Sequence, residues 1–428
     1  MSCMHYLLVN PPVYDFAAYD YWLKPLGLLY ISAILKDKGN SVDFIDCMDR
    51  SRPEVDSGPS GKYGKGGFES RPVPVPEAVS GYKRKYSVYG LSGEKFYKAL
   101  KSFNPPDKIF LSSAMTYWYP GVKEAAEQLK RQFPEAELVL GGTYPALMKE
   151  HARRNICADR IVSEDTANEL STITGSDITE FDGWPPPDYS GYRFPGYIVI
   201  RTSAGCPYSC SYCGIKNIYK GFKKKTAEKI RGEINDLYKK HRLKDFVFYD
   251  DALLKNRGFK DIFKGLPAGL RFHTPNGLEV DEVTPDIAGI LKKSNFIEPC
   301  LAADVIDRDI KSSAAKKLTK ENIEKAASSL LTAGYRKGEI SAYLILGLPG
   351  DTLENVRLGA QYLHSLGLKV KLAEYALVPG SEDAKYFSRE IRQEPLLHNN
   401  SLFPSFPVSR WEEIFNLKRY VNKLNDNF

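Results

Sequence analysis

The stretch "GCPYSCSYCGIK" (residues 205–216) holds three of the chain's seven cysteines, spaced Cys206-x-x-x-Cys210-x-x-Cys213. It follows directly on "YIVIRTSA" (197–204), a run rich in apolar and β-branched residues that reads as a buried strand. Three thiols therefore share one loop at the C-terminal end of a strand. A disulfide would leave one of them over. The remaining cysteines, Cys3, Cys47, Cys157 and Cys300, are scattered singletons. Such an odd, dispersed set does not suit a secreted disulfide framework and points to the reducing cytoplasm. Structural zinc wants four ligands, commonly in two paired knuckles, and no second Cys or Cys/His pair follows; His241 and His273 are isolated. A cubane iron–sulfur cluster normally takes four thiolates, so three in one loop would leave one iron open to an outside ligand.

Downstream of this loop the chain alternates strand and helix patterns. "DFVFYD" (245–250), "LRFHTPN" (270–276), "EPCLAAD" (298–304), "SAYLILG" (341–347) and "VKLAEYAL" (370–377) read as strands. Helical patterns such as "AEKIRGEINDLYKKH" and "KENIEKAASSLLTAGY" lie between them. With the strand at 197 this makes six β/α units, expected as a partial (β/α)6 barrel with its active site at the strand C-termini.

The first third has the same rhythm. "HYLLVNPP" (5–12), "SVDFID" (41–46), "KIFLSSA" (108–114) and "AELVLGG" (136–142) read as strands, with helices at "LGLLYISAILKDKG" and "YPGVKEAAEQLKRQFP". This predicts an α/β, doubly wound, mostly parallel Rossmann-type sheet, which binds ligands at its strand C-termini. A long excursion at 51–95, rich in Gly, Pro, Ser and charge, reads as a flap or an ordered surface segment. The expected organisation is a first domain over 1–165, a proline-rich linker at 166–196, a second domain over 197–385 and a small C-terminal extension over 386–428.

The 428 residues suffice for two or three domains. A net charge of +7 spread over this length, with basic runs no denser than Lys83-Arg84-Lys85 and Lys223-Lys224-Lys225, predicts no nucleic-acid partner. No segment approaches the roughly 18 apolar residues of a transmembrane helix. The N-terminus lacks a signal peptide's basic region and cleavage site.

The cysteine loop, with aromatic Tyr212 before its third cysteine, resembles the signature loop of the radical S-adenosylmethionine (SAM) superfamily. The resemblance implies a 4Fe-4S cluster on Cys206, Cys210 and Cys213, with SAM chelating the open iron and one electron splitting its sulfonium to a 5′-deoxyadenosyl radical. It further implies that "YLILGLPGDT" (343–352) packs against the adenine, with Gly347, Pro349 and Gly350 in the turn. A helix cap at Asp351 or Thr352 explains that turn too. Asp250 and Asp251 of "FYDDALL" would meet the methionyl amine, and Asn276-Gly277 would mark the third strand end. Asp304 would take a glutamate's place at the ribose, a departure from the family pattern. Lys316 and Lys317 are within reach of the SAM carboxylate, or form a solvated helix face.

The first third resembles the cobalamin-binding domain joined to many radical SAM enzymes, through "VNPP", "KPLGLLYISAIL", "SVDFID", "LSSAMTYWYPG", "VLGGTYPAL" and "IVSEDTANEL". By that resemblance Ser112, Ser113 and Thr116 meet the nucleotide tail, and Gly141, Gly142 and Thr143 lie close to the corrin. The aromatic run "MTYWYPG" is expected to shield the ring's lower face. The Asp-x-His-x-x-Gly motif that supplies a cobalt-ligating histidine in the mutases is absent; His151 falls after the glycine loop.

The function these resemblances imply is cobalamin-dependent methylation of an unactivated carbon. One SAM supplies the methyl group and a second the radical that abstracts a substrate hydrogen. Radical rearrangement, cyclisation or coupling without methyl transfer is the second reading. An iron–sulfur electron-transfer or sensing module is a third, from another class. The implied partners are a small-molecule or lipid-like substrate and an electron donor such as flavodoxin or ferredoxin. The excursion at 51–95 and His398, Asn399 and Asn400 are expected to cover a substrate cleft.

Overall fold

The computed structural model describes residues 3–55, 60–164, 166–306 and 318–428. The chain divides into two compact units, residues 1–198 with 393–397, and residues 199–392 with 398–428.

The first unit is built on a five-stranded, wholly parallel sheet of β1 (His5–Asn10), β2 (Ser41–Asp46), β3 (Lys108–Leu111), β4 (Glu137–Leu140) and β5 (Arg160–Ile161), in the order β5-β4-β3-β1-β2. Alternation along the strands sends Leu7, Val9, Ile109, Leu111, Leu138 and Leu140 to one face. Tyr6, Leu8, Phe110 and Val139 go to the other. Both faces are buried, which is why these strands read as nearly continuous apolar runs. Helices α2 (Gly93–Leu100) and α3 (Tyr119–Gln132) cover the first face, while α1 (Leu26–Asp37) and α4 (Thr166–Thr174) cover the second. The doubly wound arrangement expected from sequence is thus present.

One stretch differs from expectation, and the excursion follows one of its two readings. Residues 166–196, read above as a linker, pack on the first unit, where Leu170, Ile173 and Ile178 join its core and Tyr192 donates to Asp46. The excursion is ordered wherever it is described. Residues 70–72 and 87–89 form an antiparallel sheet with 13–15, and Arg50 holds Gly67 and Gly64 by their carbonyls at 2.9 Å each.

The second unit carries six strands: β6 (Ile198–Ile200), β7 (Asp245–Phe248), β8 (Arg271–His273), β9 (Cys300–Ala302), β10 (Ser341–Leu346) and β11 (Lys369–Glu374). They form two three-stranded groups, β6-β7-β8 and β9-β10-β11. A single parallel bridge from Leu278 to Leu301 joins the groups. Among the described residues β6 does not pair with β11, so the arc is a partial barrel. Phe246, Phe248, Phe272 and Phe296 stack behind the first group with ring centroids 5.4–6.2 Å apart. The free edge of β11 is covered by the last helix (Trp411–Asn425). There the Asn425 amide exchanges two hydrogen bonds of 2.9 Å with the Val370 backbone, replacing a missing strand. Among the described residues no helix is long and apolar enough to cross a membrane.

In the first unit, the chain leaves β1 toward β2 on one side and reaches β3 on the other, so a crevice opens at the C-termini of β1 and β3. Gly142 lines it with φ +101°, and a Cβ there would fall 2.2 Å from the Ser113 carbonyl oxygen. A Cβ on Gly141 meets nothing closer than 3.9 Å. Gly142→Ala should therefore lower stability in urea denaturation by about 2–4 kcal/mol, and Gly141→Ala by well under about 1 kcal/mol. Equal effects would contradict the assigned backbone.

Candidate functional site

The cysteine loop leaves β6 through a short hairpin in which Ser203-Ala204 pairs antiparallel with Lys223-Lys224, closing both ends of the loop. Gly205 begins the loop at φ +81°, where a Cβ would sit 2.2 Å from the Gly221 carbonyl oxygen. Only glycine fits this crossing. Cys206 and Cys210 are half-buried and Cys213 is exposed. The three thiols lie close enough to act on one another's ionisation. Among the described residues, however, no three ligating side chains are drawn tightly around one point. Burial pushes the Cys206 thiol up to about 11 and raises Cys213 as well. Thiolates at these positions thus call for a compensating cation.

The two adjacent aspartates at the end of β7 have different fates. Asp250, 2% exposed, accepts hydrogen bonds from Thr202 N and Oγ1 and from Ser203 N and Oγ, at 2.6–3.1 Å. Four of these bonds fall on Oδ1 and Oδ2 takes only a shared one from Thr202 N, so this carboxylate chiefly fixes the base of the loop. Asp251 is only partly engaged, with a backbone hydrogen bond from Gly205. Its Oδ2 is buried without a hydrogen bond, 3.9 Å from Arg201 Nη2. Burial, the largest cause, raises its carboxyl to about 6.

Asn276 donates to the Asp250 carbonyl at 3.1 Å, tying the third strand end to the second. Asp304, at the end of β9, accepts from the Tyr212 hydroxyl at 3.0 Å, and burial raises its carboxyl to about 6. The aromatic residue of the cysteine loop is thereby linked to the fourth strand. The turn after β10 is capped by Thr352, which accepts from Asn355 N at 3.1 Å. A Cβ on Gly347 would lie 3.0 Å from the ring of Phe406, so the C-terminal extension packs against this glycine. Pro349 lies in the same turn, closed by Asp351 N to the Leu348 carbonyl at 2.9 Å. Lys316 and Lys317 lie outside the described residues.

Sequence reasoning missed two residues. Glu279 follows β8, with Oε2 accepting from Leu254 N at 3.2 Å and Oε1 buried without a partner. Burial raises it to about 7, and its charge bears on Cys206. Nothing in "NGLEV" distinguishes it from a solvated turn glutamate. Arg201, a lone charge ending an apolar strand, did carry a signal. It donates to the Tyr249 carbonyl at 3.1 Å and to the Tyr219 hydroxyl.

In the first unit, Ser112, Ser113, Thr116, Gly141, Gly142 and Thr143 gather at the C-termini of β3 and β4. Thr143 N donates to the Ser113 carbonyl at 2.8 Å, and helix 143–147 packs on the 116–118 turn. The Ser113 hydroxyl, like that of Ser163, is buried without a partner. The aromatic run behaves differently from expectation. Tyr117 is 8% exposed and Trp118 donates to Asp15 at 2.7 Å, so both serve the core, and Met115 alone is well exposed at 42%. His151 pairs through Nδ1 with the Tyr144 hydroxyl at 2.6 Å, and burial lowers it to about 4, keeping it neutral. His398 and Asn399 are also buried, with His398 Nε2 bonded to the Ile391 carbonyl at 2.8 Å, so these two do not line an open cleft.

Asp251 yields a pH-dependent prediction. A folded-state value of about 6, raised above the ordinary 3.8, favours folding below about pH 4 and loses that advantage as pH rises through 6. Asp251→Asn should stabilise the cofactor-free chain by about 2–3 kcal/mol at about pH 8 and by much less at about pH 4. Urea unfolding at both pH values checks this; a destabilised variant at the higher pH contradicts it.

Comparison with known proteins agrees with this architecture. Residues 200–380 match the radical SAM superfamily. The chain is 20% identical to cytidylyl-2-hydroxyethylphosphonate methyltransferase of Streptomyces wedmorensis, over 84% of this chain and 77% of that one. It is 23% identical to the anaerobic magnesium-protoporphyrin IX monomethyl ester cyclase of a Synechocystis strain, over 59% of this chain and 51% of the cyclase. Its fold is similar to that of the radical SAM methyltransferase TsrM from Kitasatospora setae, solved with cobalamin and a 4Fe-4S cluster bound. That likeness has a TM-score of 0.65 and 15% identity, over 91% of this chain and 78% of TsrM. A second TsrM structure, with tryptophan substrate and a SAM analogue, gives a TM-score of 0.64 at 16% identity, over 89% of this chain and 75% of that one. Residues 200–380 of this enzyme thus form a radical SAM domain, with the cysteine loop at the head of its six-stranded partial barrel.

Proposed function

We propose that the chain holds a 4Fe-4S cluster on Cys206, Cys210 and Cys213, cleaves SAM reductively there, and methylates an unactivated carbon with the help of cobalamin bound by the first unit. The single observation that carries the reading is the three-thiol loop, fixed at its base by Asp250 and bordered by carboxyls with unused oxygens.

The residues present fit these groups. Three thiols from one loop suit a cluster that keeps one iron for a small-molecule ligand. Asp251 Oδ2 and Glu279 Oε1 are buried acceptors without donors, which suits a cofactor carrying an ammonium and a sulfonium. In the first unit, the unpartnered Ser113 hydroxyl and the tight backbone at Gly142 suit a flat ligand with a polar tail. When bound, the cluster supplies the electron that splits SAM and the corrin carries the methyl group. The chain's own contribution is positional. Asp251 orients the methionyl amine, Asp304 and Tyr212 border the ribose, and Ser112, Ser113 and Thr116 with Gly141, Gly142 and Thr143 seat the corrin and its tail. His151, neutral and engaged by Tyr144, does not require a role at cobalt.

The likeness to methyltransferases supports methyl transfer over rearrangement or cyclisation, while the more partial likeness to a cyclase keeps ring closure as the competing outcome. Incorporation of labelled methyl from SAM into a product separates the two. Cys206→Ala, prepared anaerobically with iron and sulfide, should make no 5′-deoxyadenosine; production at even a tenth of the wild-type rate would contradict the ligand assignment. Wild-type protein given hydroxocobalamin should retain the corrin spectrum through gel filtration, and loss of all colour would remove cobalamin from the account.

A further inference from the structure

The first unit holds a cavity of about 510 Å³ where residues 70–72 of the excursion meet α2 and α3. Its size falls among small-molecule sites, roughly 300–1,000 Å³. Two guanidiniums line it, Arg71 from the excursion and Arg131 from the last turn of α3. Arg71 Nη2 makes one long hydrogen bond, 3.5 Å to the Ser92 hydroxyl, and stands 3.5 Å from where a Cβ on Gly93 would be. The Arg131 guanidinium lies over the Tyr97 ring, 4.4 Å from its centroid. Gly93 and Tyr97 are four residues apart on α2, so the two arginines are spaced by about 6 Å along that helix. Among the described residues neither arginine forms an ion pair.

The nearby acids are engaged elsewhere. Glu124 accepts from the Tyr14 hydroxyl at 2.6 Å, from Gly93 N at 2.6 Å and from Gln128 Nε2 at 2.9 Å. Glu69 holds Lys95 Nζ at 2.8 Å. Glu94, the other acid of the lining, is exposed to solvent. The first turn of α2 lines the cavity too, and its N-cap residue Ser92, only 8% exposed, gives it no side-chain cap. A helix end of this kind favours negative charge. Two unpaired guanidiniums and an uncapped helix start therefore share one cavity, and their common complement is an anion.

We infer that this cavity binds a small molecule through a phosphate group, held between the Arg71 and Arg131 guanidiniums beside the first turn of α2. Donors from three elements exceed what the two oxygens of a carboxylate can accept, and a phosphate ester offers three. The bound group joins the excursion to α3 through the two arginines. The site stands independently of the cluster and cobalamin readings above, since none of its residues serves either.

The test titrates the full chain at low salt with inorganic phosphate, glycerol 3-phosphate and acetate, followed by calorimetry. Both phosphates should saturate one site with Kd below about 5 mM, and acetate should bind at least about tenfold more weakly. Arg71→Gln and Arg131→Gln each remove one charge-assisted contact and should each weaken phosphate binding about tenfold. Both side chains are exposed, so the urea midpoint of either variant should match wild type. Hydrogen exchange at residues 70–72 should slow when glycerol 3-phosphate is bound to wild type. No saturation by either phosphate below about 20 mM would overturn the inference. So would acetate binding as tightly as phosphate, or phosphate affinity unchanged in both variants, since the anion would then be held elsewhere.

Discussion

The carboxylate of Asp250, buried at the end of β7, grips Thr202 and Ser203 just beyond β6 through four donors, two backbone and two hydroxyl. Everything at the site depends on that grip. Thr202 is also held from the other side, where Asn256 donates to its carbonyl at 3.3 Å and to the Lys225 carbonyl at 3.1 Å. Lys225 in turn forms a fully buried ion pair with Glu233 of α5 (Ala227–His241). Buried polar networks are stabilising only when their members are matched, and then they admit one arrangement. Here that arrangement sets both ends of the cysteine loop before any metal arrives, so folding positions the thiols and leaves only the loop's interior to adjust.

Around this fixed base the second unit concentrates carboxyls that burial holds above their ordinary range: Asp251, Glu279 and Asp304. Arg201 lies close to one of them, and Lys255 bears on another. Such a site is under-satisfied by itself and complementary to a cation, the electrostatic form of preorganisation. The first unit follows a different physical logic. Its sheet is apolar on both faces, and the unpartnered Ser113 hydroxyl sits just beyond the end of β3, at the crevice between β1 and β3.

Much of this was legible in the sequence because it is written locally. All six strands of the second unit occur where apolar runs stand, although most are shorter than those runs, since the chain turns toward the site before each run ends. The cysteine spacing, the double glycine after β4 and the Thr352 cap are local signals too. Long-range packing was not legible. Adjacent Asp250 and Asp251 look equivalent in a string, and only the distant Thr202 and Ser203 separate them. Gly347 was expected to face a cofactor, but its near neighbour is Phe406, some sixty residues on. The proline-rich stretch at 166–196 lacks strands and so resembles a linker. Its aromatic residues nevertheless find partners on the first unit, including Phe44 against Tyr192 at 5.2 Å. "MTYWYPG" could serve a ligand or the core, and Asp15, remote in sequence, decided for the core at Trp118.

The central claim is that three cysteines hold a cluster whose remaining iron is completed by SAM and by no side chain. The most direct measurement is electron–nuclear resonance on the anaerobically reduced protein given SAM labelled with nitrogen-15 at its amine and oxygen-17 at its carboxylate. The account predicts a reduced cubane signal that changes on SAM addition and couples to both labels. A signal indifferent to SAM, coupling to a protein nitrogen at the fourth iron, or protein that takes up zinc in place of iron would contradict it.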